Sequence, residues 1–176
     1  IVAYLMIGSI IFSEMYLLAQ CIGKENRGLI LPISIPMIMI QLLYCPFPEE
    51  SFYWYTGAVN YTGIYSLSLI LVGLVLKLAT RELKKVDRIL SLVITCILAI
   101  LVGGDNLATS LSTFCLLVLL EIVFLAKNKD GFRRTWFVVL VNIASLCIVC
   151  FSTRTQTRLE WNFEAVSYTH LTLPTT

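Results

Sequence analysis

The feature that most constrains this chain is a series of six long apolar stretches joined by short polar connections. A bilayer core requires about 20 apolar residues per helical crossing, and a helix satisfies its own backbone hydrogen bonds there. We therefore predict an all-α fold, a polytopic transmembrane helical bundle of about six helices. The stretches cover residues 1–22, 28–44, 61–79, 89–102, 107–126 and 136–151.

Composition excludes the usual alternative, a soluble globular domain. The 176 residues are 58% hydrophobic and only 14% charged, with a mean hydropathy of +0.85. A soluble core of this size cannot bury so much apolar surface. Two stretches depart from a simple crossing: residues 89–102 are short for a span, and Pro32 and Pro36 should kink or delay the second helix because each removes an amide donor.

Both ends of the chain are expected to differ from a complete native protein. The sequence begins at Ile1 inside an apolar stretch, without an initiator Met, so we expect a fragment of a larger protein. Residues 166–176, VSYTHLTLPTT, resemble the translation of a transposon-type sequencing adapter. We therefore expect a partial transmembrane helical domain at residues 1–165 and a non-native tail at residues 166–176, which holds the only histidine, His170.

Basic residues are concentrated in alternate connections. The connections after the first, third and fifth stretches hold 11 of the 13 Lys and Arg residues, and Arg154 and Arg158 are the other two. Because cytoplasmic loops of membrane proteins are enriched in Lys and Arg, we predict that these connections face the cytoplasm and that the loops containing Glu49 and Asp105 lie outside the cytoplasmic (inner) membrane. The lipid bilayer is the expected partner. No nucleic-acid partner is expected, since topology accounts for the positive charge.

The predicted outer connections combine carboxylates, amides and aromatic rings. Residues 45–63 read CPFPEESFYWYTGAVNYTG, and residues 103–106 read GGDN. Carboxylates can bind hydroxyl groups or transfer protons, and ring faces can pack against sugars or lipid chains. Two simpler roles compete: Trp and Tyr concentrate at membrane interfaces, and an Asp-Asn pair after two glycines can form a turn and a helix cap. The candidate substrate-binding residues here are Glu49, Glu50, Tyr53, Trp54, Asn60, Tyr61, Asp105 and Asn106.

Two acids, Glu14 and Glu121, lie inside apolar stretches, where ionisable side chains are costly. Glu14 is near the middle of its stretch and is the better functional candidate, as a member of a proton or ion relay. A buried hydrogen bond to a neighbouring helix, or simple protonation, is the commoner explanation of such an acid. The sequence contains no phosphate-binding loop, hydrolase elbow or Cys/His metal spacing, so we predict no metal site and no particular cofactor.

The motif ESFYWYTGAVNY at residues 50–61, followed by GGDNLATSL at residues 103–111, resembles a family of bacterial multi-pass membrane proteins grouped with the GT-C type glycosyltransferases. The resemblance implies an enzyme that takes a sugar from a polyprenyl-phosphate carrier. It also implies transfer of that sugar, outside the cytoplasmic membrane, to a cell-envelope glycan or related acceptor.

Two departures from that family limit which residues inherit its roles. Its principal acidic residue lies in the first outward loop, which would precede Ile1, so the catalytic base is expected outside this chain and not at Glu49 or Glu50. Where the family implies a Pro-Gly-Asn segment after the last helix, residues 151–163 read FSTRTQTRLEWNF. Arg154 and Arg158 could still bind the donor phosphate, because the guanidinium group presents a forked pair of donors.

Two other functions are open from the sequence. A secondary transporter or flippase is suggested by Glu14, the paired prolines and the short fourth stretch, since such carriers use intramembrane acids and interrupted helices. No inverted repeat is evident. A non-catalytic scaffold of an envelope-synthesis complex is the third hypothesis, and it predicts tolerance of simultaneous replacement of Glu49, Glu50 and Asp105.

Overall fold

The computed structural model describes residues 2–45, 48–105, 107–127 and 129–152. For Glu49 and Glu50 it describes the backbone but not the side chains. Three candidate residues, Asn106, Arg154 and Arg158, lie outside the described residues, as does the tail at residues 166–176.

The described chain is almost entirely helical, with no strand in these four ranges. The helices are α1 Val2–Cys21, α2 Ile30–Leu43, α3 Tyr55–Gly57, α4 Ile64–Thr80, α5 Lys85–Gly103, α6 Leu107–Lys127 and α7 Lys129–Cys150. A 3-10 segment, Lys24–Leu29, leads into α2, and two π-helical segments, Glu49–Tyr53 and Ala58–Gly63, flank α3. The predicted all-α bundle is confirmed.

Six helical segments are long and apolar enough to cross a membrane, which agrees with the number predicted. They are Val2–Cys21, Glu25–Leu43, Tyr55–Thr80, Lys85–Gly103, Leu107–Lys127 and Lys129–Cys150. Large apolar side chains such as Phe12, Ile40, Leu119 and Ile148 are exposed on the surface of the bundle. A surface of this kind requires lipid rather than water around it.

The fourth crossing is longer than the apolar stretch at residues 89–102. Helix α5 has 19 residues because it begins at Lys85, before the apolar stretch. Asp87 and Arg88 lie in the first turns of α5. These charged residues end the apolar stretch in the sequence, but they do not end the helix. The last helix likewise begins at Lys129, seven positions before the predicted start. Long basic side chains at a helix end can keep their charge in the headgroup region while their alkyl stems lie along the apolar core.

The prolines of the second helix delay its start without dividing it. Residues Lys24–Leu29 form 3-10 turns, and the α-helix begins only at Ile30. Pro32 is in the first turn, where its missing amide is not needed. Pro36 is inside the helix, which continues to Leu43.

Helix α4 occupies the centre of the bundle. Leu71 and Val75 of α4 belong to a buried cluster with Ala99 of α5, Leu117 of α6 and Val138 of α7. On its other side α4 packs against α1, and the two helices run in the same direction. The Ser9 and Ser66 hydroxyl oxygens are 3.0 Å apart, and one turn of α1 at Tyr16 and Leu17 lies against Gly73. Helix α2 packs on α1 at the edge of the bundle, and Ser34 is its one buried residue.

Candidate functional site

Residues 48–63, which we call the aromatic segment, fold into helical turns that lead directly into α4. The two π-helical pieces of this segment are an uncommon conformation that often occurs at functional sites. The segment packs against α1. Phe52 and Ala58 are buried, and the Thr62 hydroxyl donates a 2.6 Å hydrogen bond to the Ser51 carbonyl oxygen. Its backbone is therefore held in place from both ends.

The same segment leaves several predicted site residues exposed. Three consecutive aromatic residues are exposed: Tyr53 by 75%, Trp54 by 60% and Tyr55 by 67%. Tyr61, in the same segment, is about half exposed. Asn60 is exposed as well. A rigid backbone that presents several aromatic rings is suited to ligand packing and equally to anchoring at a membrane interface. The backbone of Glu49 and Glu50 forms the π-helical turn immediately before the rings.

The predicted GGDN site lies against a different helix, α7. A β-carbon at Gly103 would be 2.8 Å from the Asn142 carbonyl oxygen, so only glycine permits this approach. Gly104 faces Ser145, whose hydroxyl oxygen would lie 3.2 Å from an added β-carbon. The two glycines therefore serve helix packing. Asp105 follows them in the turn and is partly buried, and its predicted ligand role stays a prediction.

Three polar side chains complete this contact: Ser110 of α6, and Asn142 and Ser145 of α7. Together with Gly103 and Gly104 they form what we call the α5–α7 junction. The Asn142 amide donates to the Ala99 carbonyl oxygen at 3.0 Å, and the Ser145 hydroxyl donates to Ile100 at 2.8 Å. The Ser110 hydroxyl donates to Val102 at 2.6 Å. Val102 lies in the last turn of α5, where helical donors run out, whereas the Ile100 carbonyl oxygen also accepts from the Gly104 amide at 2.9 Å. The junction is a structural feature that closes the end of α5.

The intramembrane acid Glu14 lies in a second polar group, the Glu14 cluster, formed by Glu14 of α1, Gln41 of α2 and Tyr65 of α4. Glu14 is only 2% exposed. The Gln41 side-chain amide donates a 3.0 Å hydrogen bond to the Tyr65 hydroxyl and lies beside the Glu14 carboxyl group. Within the described ranges, neither Glu14 carboxyl oxygen nor the Gln41 carbonyl oxygen has a hydrogen-bond partner. The cluster therefore has three buried acceptor atoms without donors.

An excess of buried acceptors can be relieved by a proton, a cation or a ligand that carries hydrogen-bond donors. Glu14 was predicted from the sequence as a candidate, but Gln41 and Tyr65 were not. The signal for Gln41 was present, because it interrupts the apolar run MIMIQLLY. No pattern along the chain indicates that Gln41 and Tyr65 would meet, since 24 positions separate them.

Glu121 of α6 is the second buried acid, and it lies beside Thr135 of α7. The Thr135 hydroxyl donates to the Gly131 carbonyl oxygen of its own helix at 3.0 Å. The Glu121 carboxyl oxygens have no hydrogen-bond partner in the described part of the chain. Glu121 thus resembles Glu14 in burial but has no amide beside it.

Comparison with known proteins yields no relative. No protein-family model, curated protein or solved structure matches this chain. The resemblance of the aromatic segment and the GGDN motif to GT-C type enzymes therefore stays a prediction. The assignment of function depends on the chemistry of the two candidate regions themselves.

Proposed function

We propose that this chain is a membrane glycosyltransferase-like protein that binds a polyprenyl-phosphate-linked sugar at its aromatic segment. The observation that carries the proposal is the anchored backbone of residues 48–63, which presents Tyr53, Trp54 and Tyr55 together. The motif resemblance to GT-C type enzymes supports the same assignment. In this proposal the basic helix ends face the cytoplasm, and the aromatic segment lies on the outer side of the cytoplasmic membrane.

The residue types of the candidate site suit the parts of such a donor. Ring faces can pack against the apolar face of a sugar or against an isoprenoid chain, and each ring buries a large apolar area in such a contact. Asn60, Glu49 and Glu50 supply groups for sugar hydroxyls, and Asp105 is a further candidate. Arg154 and Arg158 are proposed to bind the phosphate. The acceptor is then a cell-envelope glycan on the same side of the membrane.

Binding of the donor is the direct test, because the proposal assigns donor binding, and no catalytic base, to the residues of this chain. The protein is reconstituted in lipid nanodiscs and titrated with a polyprenyl-phosphate hexose. The triple variant Tyr53→Ala, Trp54→Ala, Tyr55→Ala should bind at least about tenfold more weakly, which corresponds to about 1.4 kcal/mol.

The matched control is the double variant Tyr4→Ala, Tyr44→Ala, which removes two rings that are 82% and 81% exposed and lie outside the aromatic segment. It should retain the original affinity. Unchanged affinity in the triple variant would reject the proposal and leave interfacial anchoring as the role of the rings. Equal losses in both variants would reject it too, since ring removal anywhere would then have the same effect.

The Glu14 cluster favours a second candidate, a secondary transporter or flippase. Its three acceptors without donors lie between three helices, as expected of a proton or ion site in a carrier. Proton flux into proteoliposomes, followed with an enclosed pH-sensitive dye under an imposed potential, tests this candidate. Glu14→Gln should abolish the protein-dependent flux, and Glu121→Gln should retain it. Flux that is unchanged in Glu14→Gln, or absent from the unmodified protein, would exclude the carrier.

A further inference from the structure

A groove of about 250 Å³ runs between α6 and α7 on the outside of the bundle. Val118, Ile122 and Leu125 line it from α6, and Phe132, Trp136 and Leu140 line it from α7. Glu121 also contributes to its wall, but the Glu121 carboxyl oxygens are buried and do not face the groove. The surface that the groove presents is therefore apolar, and its natural occupant is a hydrocarbon chain.

Two basic residues near the start of α7 lie on the same side of the helix as the groove lining. Lys129 and Arg133 precede Trp136 and Leu140 at helical spacing, so all four share one side of the helix. Both basic side chains are exposed. Trp136 lines the groove about one turn beyond Arg133, near the charged end, and Trp commonly marks the boundary between headgroups and hydrocarbon. The groove thus has an apolar body and a cationic end.

We propose that this groove binds one acyl chain of an anionic phospholipid, and that Lys129 and Arg133 bind the phosphate of the same molecule. Charge complementarity selects the occupant, because an apolar groove alone would accept any lipid chain. A neutral or zwitterionic lipid gains much less from two adjacent cations than an anionic lipid does. The site is separate from the aromatic segment and from the Glu14 cluster, and it does not depend on the proposed function or on the orientation of the chain.

Trp136 provides a local probe for this site. The chain has three Trp residues, so Trp54→Phe and Trp161→Phe leave Trp136 as the only one. This protein is reconstituted in vesicles that contain brominated phosphatidylglycerol or brominated phosphatidylcholine as the minor lipid, and the quenching of Trp136 fluorescence is measured. Half-maximal quenching should occur at a severalfold lower mole fraction of the anionic lipid.

The double variant Lys129→Gln, Arg133→Gln should remove this preference, so that both brominated lipids quench alike. The control is Lys85→Gln, Arg88→Gln, which changes two exposed basic residues at the start of α5. Helices α5 and α7 run in the same direction, because Asn142 contacts Ala99 and Ser145 contacts Ile100. Both pairs therefore lie at the same end of the bundle.

The control variant should retain the preference for phosphatidylglycerol. Equal quenching by the two lipids in the unmodified chain would overturn the proposal. So would a preference that survives in the Lys129 and Arg133 variant. Loss of the preference in both variants would show that anionic lipid gathers around the basic end in general, without a site at this groove.

Discussion

The α5–α7 junction and the Glu14 cluster both place polar side chains between apolar helices, but they differ in how their hydrogen bonds are satisfied. At the junction the Asn142, Ser145 and Ser110 donors all reach carbonyl oxygens of α5. The Asn142 amide oxygen is the one junction side-chain atom without a partner in the described residues. In the Glu14 cluster, three acceptors, two on Glu14 and one on Gln41, have no donor there.

This difference separates a structural role from a functional one. Donors at the junction tie α6 and α7 to carbonyl oxygens near the end of α5, so they stabilise the bundle. A buried acceptor without a donor costs about 1–3 kcal/mol, so the Glu14 cluster reduces stability in the form described. A chain that retains such a group gains something else from it, and binding of a proton, cation or ligand is the physical candidate.

The largest expected effect is at the junction, from Gly103→Val. Its added β-carbon would be 2.8 Å from the Asn142 carbonyl oxygen, a backbone atom that cannot move without shifting α7. Overpacking of this kind costs about 3 kcal/mol at its upper range. The thermal-unfolding midpoint in detergent micelles should fall accordingly. Gly8→Ala is the control, because nothing lies within 4 Å of its added β-carbon. The unfolding midpoint of Gly8→Ala should stay the same or rise. An equal fall of the midpoint in both variants would refute close packing at the junction.

The next largest effect is expected for Glu14→Leu, which should increase stability rather than reduce it. Removal of two buried acceptors without donors should raise the free energy of unfolding by about 1–2 kcal/mol, since a side chain of similar size fills the space. The same detergent unfolding experiment measures it. A decrease in stability would show that Glu14 has a stabilising partner, and the contrast between the two regions would then be lost.

The helix pattern was predictable because hydropathy alone sets the number of crossings, and all six appear. Helix ends were less predictable, since Lys85, Asp87 and Arg88 belong to α5 although they are polar. The buried acid Glu14 could be identified from sequence, because an acid in an apolar stretch is visible without a fold. Its neighbours Gln41 and Tyr65 could not be predicted, because helix packing alone brings them together.

Asn142→Leu should have a smaller effect than either of these changes. The variant removes the hydrogen bond to Ala99, and it also removes the buried amide oxygen that has no partner in the described ranges. Hydrogen bonds between membrane helices average about 0.6 kcal/mol, so a loss of about that size or less is expected. The unfolding midpoint should fall slightly, opposite in sign to the change in Glu14→Leu. A gain in stability would place Asn142 in the same class as Glu14.

The smallest expected effect concerns the Ser9 and Ser66 pair, which joins α1 to α4 near the Glu14 cluster. Each hydroxyl has a single hydrogen, and each already has an acceptor about one turn earlier in the chain: Met6 at 2.7 Å for Ser9, and Thr62 at 3.0 Å for Ser66. The bond between the two serines therefore competes with a local bond on either side.

A double-mutant cycle of Ser9→Ala and Ser66→Ala should give a coupling energy below about 0.5 kcal/mol. A coupling above about 1 kcal/mol would instead make this pair a real interhelical link. The expected small value assigns the contact between α1 and α4 to close packing, of which the approach of Tyr16 to Gly73 is the clearest part. Close packing, together with the 3.1 Å hydrogen bond from Arg81 at the end of α4 to the Ala19 carbonyl oxygen, then holds α1 against α4 without a contribution from Glu14.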